Sequence, residues 1–311
     1  MRVPRALLAA SLLLVLGGVS RAQDEDILSG TLKTLHDRGT ILIGYREAAP
    51  PFSFVNKGGQ PIGFSLDLCH GIAEQAAARL GVDLLEPEAP DWQKGLRIVY
   101  VPVATDARLP KVVSGAVDLE CGSTTANAER GKSVAFSPVF FLAGTKLMAP
   151  TAGAAPIVSY RDLGGRRVAV SKGTTNEAVI QRLAKSVTPP ITVVETPGLD
   201  EAYAMLASGA VDAFASDDIL LQGFIATRPD GKRFAVVGDY LSYEPYAIML
   251  RKGDPDFASL VEASFERMAA DGTLFTRYRR WFLDPWPSGE TLNLPMSAQL
   301  SEMYRALGQP D

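Results

Sequence analysis

Histidine and cysteine are nearly missing from this chain: its 311 residues hold two of each. His36 and His70 are not paired at metal-ligand spacing and adjoin no serine or cysteine nucleophile motif, which leaves a hydrolytic triad and a zinc centre unsupported. Beyond the first 22 residues no apolar run reaches bilayer-spanning length. Basic residues are the minority charge, 31 against 35 acidic ones, and no basic face suited to nucleic acid is expected. Cys69 and Cys121 leave two alternatives open, a disulfide and a pair of free buried thiols, since geometry decides between them.

What is present is an ordinary globular composition, 47% hydrophobic and 21% charged. A chain this long builds a sizeable core, as one large domain or two modest ones, without needing a metal or a disulfide. Residues 1–22 read as a secretory signal peptide. Arg2 and Arg5 open it, residues 6–16 are apolar but too short to span a bilayer, and Ser20-Arg21-Ala22 offers small residues for cleavage after Ala22. No cysteine lies near the cut, which argues against a lipid anchor. Loss of Arg2, Arg5 and Arg21 takes the 31 basic residues to 28, so the mature chain carries a net charge of about −7.

The order of elements is helix over 24–39, strand at 40–44, strand at 52–55, a long helix from Ser65 or Asp67 to Leu80, strand at 98–103, and a helix capped by Thr105 or Asp106. This alternation predicts a mostly parallel α/β sheet. A short repeat then appears. Ser114-Gly115-Ala116-Val117-Asp118 returns as Ser208-Gly209-Ala210-Val211-Asp212, each copy after an apolar helical stretch, which favours two related α/β lobes. The β-rich runs at 135–148 and 240–250 flank the second copy and read as crossings between them, with Tyr243, Glu244 and Tyr246 as candidate hinge residues. The expected division is 24–146 plus 247–285 for lobe 1 and 147–246 for lobe 2. The proline-containing tail, 286–311, is expected to wrap the outside and close with a helical turn or more at 297–307.

Chemistry concentrates in Glu120-Cys-Gly-Ser-Thr-Thr-Ala-Asn-Ala-Glu-Arg130. Gly122 turns the chain after a buried strand, and hydroxyls followed by an arginine suit a small zwitterion. Ligands in open α/β sheets sit off the carboxyl ends of the strands. Lobe 1 offers Arg46, Thr105, Arg108, Ser123, Thr125 and Arg130 there; lobe 2 offers Ser171, Thr174, Thr175 and Asp217. The helix opening at Thr174 and running to Ala184 presents free N–H groups suited to a carboxylate. Its single glycine and the lack of a Gly-Lys-Ser/Thr sequence argue against a phosphate loop. Arg130 with that helix start holds an α-carboxylate, and Asp217 with Ser123 and Thr125 holds an α-ammonium. Arg46 and Arg108, with Thr105, are then surplus, and buried charge without a partner is costly, so a ligand with a further negative group is expected. Phe52 reads as core rather than as a cover for the ligand, and an acid/base pair at Asp217 and Asp218 is disfavoured because adjacent residues face apart.

Gly39-Thr-Ile-Leu-Ile-Gly-Tyr-Arg46, Gly63-Phe-Ser-Leu-Asp67, the 120–130 segment, Phe136-Ser137, Gly144-Thr-Lys-Leu147, Gly173-Thr-Thr175 and the Leu292-Asn-Leu294 tail resemble the periplasmic solute-binding proteins of polar amino acid ABC importers, in particular their glutamate/aspartate-binding branch. The likeness covers nearly the whole mature chain. It implies a type II two-lobed clamshell with two crossover strands, a monomer that delivers its amino acid to an inner-membrane ABC permease, and no cofactor, metal or catalysis. It also implies roles: Arg130, Thr125 and Thr174 on the α-carboxylate, Asp217 and Ser123 on the ammonium, and Arg46, Arg108 and Thr105 on the side-chain carboxylate. Leu199 departs from the pattern, standing where that branch has a histidine on the side-chain carboxylate, which opens the pocket to glutamine and asparagine. The rivals are an enzyme on the same scaffold, like the cyclohexadienyl dehydratases, and a ligand-sensing module.

Overall fold

A computed structural model describes residues 28–310 apart from Asp91, Trp92, Ala154 and Pro287, so the expected signal peptide lies outside the described residues. Two twisted sheets organise the chain. The first runs Leu84–Leu85, Leu96–Pro102, Thr40–Tyr45, Leu119–Glu120, Met249–Arg251, Val134–Phe136 in spatial order. Its first four strands are parallel, and Met249–Arg251 is antiparallel to both neighbours. The second runs Thr192–Thr196, Arg167–Ser171, Ala213–Asp217, Thr145–Pro150, Phe234–Val237, with Thr145–Pro150 the reversed strand. In each sheet the reversed strand is the one that has just crossed from the other lobe. The crossings themselves, Phe141–Ala143 and Glu244–Tyr246, pair antiparallel with one another. This is a two-lobed α/β clamshell with two crossover strands. Thr145 and Lys146 already belong to the second sheet, so that sheet begins two residues before the division expected at 146/147. The β-rich run at 135–148 is three strands rather than one, broken at 137–140 and at Gly144.

The sequence repeat has a structural cause. Gly115 and Gly209 both end a helical stretch at positive φ, 73° and 76°, a backbone that glycine adopts without penalty. Three residues on, Asp118 accepts from the Leu42 amide at 2.7 Å, and Asp212 accepts from the Arg167 amide at 2.8 Å. Each aspartate therefore ties its own strand to the neighbouring parallel strand, Thr40–Tyr45 in the first sheet and Arg167–Ser171 in the second.

The long helix Phe64–Leu80 buries Phe64, Leu68, Ile72 and Ala76, at the four-residue spacing that makes one face, and it packs on the helix Pro255–Ala270. Gly81, at positive φ, ends it. Cys69 on this helix is bonded to Cys121, which resolves the cysteine alternatives in favour of the bridge. Closing a loop of this length stabilises a fold by about 4 kcal/mol in the chain-entropy account. Here it also fastens the loop carrying Ser123 and Thr125 to the core.

The tail packs as a nine-residue helix, Ala298–Ala306, capped by the Ser297 hydroxyl. Buried Tyr304 donates to the carbonyl of Phe140, next to the first crossover strand, at 2.9 Å. No helix among the described residues is long and apolar enough to cross a membrane.

Candidate functional site

Four strand ends meet between the lobes. Arg46 follows Thr40–Tyr45, Thr105 and Arg108 follow Leu96–Pro102, Ser123 and Thr125 follow Leu119–Glu120, and Asp217 ends Ala213–Asp217. Together with Arg130, Thr174, Thr175, Asn176, Leu199, Ser216 and Leu220 they line one cavity of about 310 Å³. Nine of the ten residues expected from sequence are therefore brought together. Ser171 is not among the lining residues: it is buried at the end of its strand, and its hydroxyl has no hydrogen-bond partner among the described residues.

The cleft is closed. Gly173 of the second lobe faces the first, its carbonyl accepting from Arg108 at 3.4 Å and from Arg130 at 3.5 Å. On the other side of the cleft Gly223 lies against Pro50, where a Cβ would stand 2.3 Å from the Pro50 carbonyl oxygen. Only glycine allows the helix Asp218–Thr227 to come this close.

Three guanidiniums form the cationic end, and none of them makes an ion pair among the described residues. Arg46 donates to the Thr105 hydroxyl. Thr105 therefore does not cap the following helix, which starts at Arg108 without a side-chain cap. Arg108 donates to the Thr105 carbonyl and to the Thr124 hydroxyl, both at 2.7 Å, and Thr124 donates onward to Glu120 at 2.7 Å. Arg130 donates to the Thr125 carbonyl at 2.8 Å, while its own amide is held by Asn127 at 2.9 Å. Burial and the neighbouring Arg108 lower the pKa of Arg46 and of Arg130 to about 10 each, which still leaves both charged at neutral pH. Glu120, fully buried, faces this group through Thr124. Its other oxygen lies above Gly122, where a Cβ would be 2.4 Å from it. Glu120 opens the 120–130 segment, but nothing in the sequence signals its place behind the arginines.

The anionic end is built around Asp217. Asn176 donates to one of its oxygens at 2.7 Å and Tyr246 to the other. Burial, and then the nearby Glu244, raise its pKa to about 7. Asp218, next in sequence, turns away to the Gly144 amide and the Tyr240 hydroxyl, so the two aspartates form no acid/base pair. Glu244, 2% exposed, accepts from Thr125 at 2.7 Å and from Thr175 at 2.6 Å. A hydroxyl has one proton. With that proton given to Glu244, Thr125 and Thr175 meet a ligand as acceptors, which suits an ammonium rather than a carboxylate. Thr174 caps the helix Thr175–Ala184, its hydroxyl accepting from Glu177 at 3.0 Å. Phe52 is core, fully buried with Phe141 and Tyr246 edge-on at 4.9 and 5.0 Å.

Asn176, Ser216, Leu220, Glu244 and Tyr246 were missed as site residues. Asn176 was signalled by its place in the first turn of a helix already assigned to the ligand. Glu244 and Tyr246 lie on a crossover strand, outside the strand-end rule.

A closed clamshell with a charged, strand-end pocket between its lobes defines an amino acid–sized binding protein. The chain belongs to the bacterial extracellular solute-binding proteins, family 3, whose model matches residues 41–284. It is 35% identical over 305 residues to an L-glutamate/L-aspartate-binding protein of Pseudomonas aeruginosa, covering 97% of this chain and 96% of that one. It is 32% identical over 299 residues to a glutamate/aspartate import solute-binding protein of Salmonella typhimurium, covering 95% and 94%. Among solved structures it resembles an ancestral amino acid-binding protein described as a precursor of cyclohexadienyl dehydratase. The TM-score is 0.66 at 28% identity, over 81% of this chain and 99% of that one.

Proposed function

We propose that this protein captures an acidic amino acid, glutamate or aspartate, outside the cytoplasmic membrane and passes it to an ABC permease in that membrane. Lobe 1 is the part built on the first sheet and lobe 2 the part between the two crossover strands. The protein acts as a monomer in the periplasm, reached through a cleaved signal peptide. It performs no chemistry on its ligand.

One observation carries the reading: three guanidiniums line one small cavity without ion-pair partners among the described residues, opposite a buried aspartate. In the proposed pose Arg130 and the backbone amides of Thr174 and Thr175 at the helix start take the α-carboxylate, the Thr175 hydroxyl being turned to Glu244. Asp217, Ser123 and Thr125 take the ammonium, and Arg46, Arg108 and Thr105 take the side-chain carboxylate. Closure follows because only the closed form lets both lobes hold one ligand, and a ligand shifts the population toward the state it binds better. The likeness to glutamate- and aspartate-binding proteins supports the acidic ligand.

A wider reading has its own support. Leu199 and Leu220 line the same cavity, and buried Glu120 offsets part of the positive charge, so glutamine and asparagine are secondary ligands. A thermal-shift panel of amino acids tests both readings. A ligand at a hundredfold over its dissociation constant adds about 2.7 kcal/mol of stability. Glutamate and aspartate are expected to give the largest shifts, glutamine and asparagine smaller ones. Shifts with leucine or lysine in their place would overturn the proposal.

A further inference from the structure

Glu244 is a buried carboxylate for which the proposed ligand set has no use. It lies on the second crossover strand, Glu244–Tyr246, between the lobes. One of its oxygens accepts from both Thr125 of the first lobe and Thr175 of the second. The other accepts from Ser242. Ser242 lies 2.7 Å from the Thr145 hydroxyl, and Asn176 donates to both Thr145 and Asp217 at 2.7 Å. A single network thus joins Glu244 to Asp217 through Ser242, Thr145 and Asn176; Asp217 lines the pocket, and Glu244 stands behind it, reaching it through the Thr125 and Thr175 hydroxyls.

We propose that Glu244 is a second acidic residue of the ammonium subsite, a positioning residue that turns the Thr125 and Thr175 hydroxyls into acceptors and so selects a ligand bearing an α-ammonium. The chemistry is a matter of proton counting. Left to themselves, two threonine hydroxyls beside a ligand can donate to a carboxylate or accept from an ammonium. Glu244 removes the first option by taking both protons. Its own negative charge adds to that of Asp217 at the point where the positive group of an amino acid would sit. Because one threonine comes from each lobe, the arrangement is complete only when the cleft is shut. The same residue therefore couples recognition of the ammonium to closure.

This inference rests on the proposed amino acid ligand, and the test separates the two. Calorimetry on the full chain compares each amino acid with its deaminated counterpart: glutamate with glutarate, and glutamine with glutaramate. In the unaltered protein the amine-bearing member of a pair is expected to bind far more tightly. Glu244→Gln keeps the size of the side chain but supplies an amide that can donate as well as accept. It is expected to shrink that preference at least tenfold, with a much smaller change in affinity for the deaminated member. Equal weakening of both members, with the preference intact, would mean that Glu244 merely holds the strands, and would overturn the inference. Should Glu244→Gln fail to fold, Thr175→Val carries the test: it preserves shape and removes one hydroxyl, and the preference is expected to fall in the same direction. An unchanged preference in Thr175→Val would again be contrary. Binding of the glutamine pair with none of the glutamate pair would defeat the acidic-ligand proposal while still reading out Glu244. Failure of the unaltered protein to prefer the amine in either pair would defeat the role of Glu244.

Discussion

The two ends of the pocket are built differently. The cationic end has three long guanidiniums, each pinned by neutral groups: carbonyl oxygens at 2.7–2.8 Å for Arg108 and Arg130, and a threonine hydroxyl for Arg46. The anionic end has two carboxylates held by hydroxyls and an amide. Neutral partners fix a charge in place without cancelling it, so each end keeps its charge for a ligand. The cost of burying charge is visible in both: burial lowers Arg46 and Arg130 toward about 10 and raises Asp217 to about 7. An ionised ligand of matching pattern relieves both ends together. A partial match leaves one of them uncompensated.

Experiments on single residues break this comparison in graded steps. Removing the anionic end is expected to cost most. In Asp217→Ala a bound ammonium loses its buried counter-charge, and truncating one partner of such a pair costs roughly 2–5 kcal/mol. Calorimetry with glutamate should therefore show a loss of about a hundredfold, with glutarate little affected. Arg108→Ala attacks the other end. Glutamate affinity is expected to fall by about thirtyfold, the low side of the same range, and glutamine affinity by less, because its side chain carries no charge.

Acidity tests the anionic end without mutation. Asp217 has its pKa raised from 3.8 to about 7 in the folded protein, by burial first and Glu244 second. The folded state therefore holds a proton that the unfolded chain releases. The stability contributed by that proton is full below about pH 4 and is lost as the pH rises through about 7. Ammonium binding needs the ionised form, so the sign for affinity is opposite: glutamate should bind about tenfold more weakly at pH 6 than at pH 8. A pH-independent affinity across that span would contradict the assignment of Asp217.

Gly223→Ala acts on closure and ignores charge. Its methyl group would stand 2.3 Å from the Pro50 carbonyl oxygen, holding the lobes apart. Affinities for glutamate and glutamine should drop together by about tenfold, since overpacking costs about 1–3 kcal/mol, and small-angle scattering should show a more open molecule at saturating ligand. Glu120→Gln has the smallest expected effect. It keeps an acceptor for Thr124 but removes a negative charge behind the arginines. The glutamate-to-glutamine affinity ratio should rise by about threefold to tenfold, in keeping with a charge interaction of about 1 kcal/mol at this remove.

The same contrast explains what the sequence disclosed. Arg46 stands directly after a parallel strand, and Arg108 and Arg130 open the short helices that follow two others, where the geometry of an α/β sheet puts ligands, so the cationic end was legible from order and residue type alone. The lobes were legible for a related reason. Gly115-Ala-Val-Asp118 and Gly209-Ala-Val-Asp212 repeat because each closes a helix and ties a strand to its neighbour. The anionic end was only half legible. Asp217 obeys the strand-end rule, whereas Glu244 and Tyr246 hold the lining residues Thr125, Thr175 and Asp217 from a crossover strand whose position depends on how the two sheets meet. Hydroxyl roles were the least legible. Thr105 reads as a helix cap and instead accepts from Arg46; Thr125 suits an ammonium by its residue type and a carboxylate by family likeness, and the proton it gives to Glu244 favours the ammonium. Which way a hydroxyl points is set by its nearest charge in space, and spacing along the chain does not encode that.

The central claim is that the two ends together read one acidic amino acid. Titration calorimetry of the purified protein with glutamate, aspartate, leucine and lysine tests it most directly. Saturable heat with glutamate and aspartate, and none with leucine or lysine, is the expected result. Binding of lysine or leucine with no response to either acidic amino acid would contradict it.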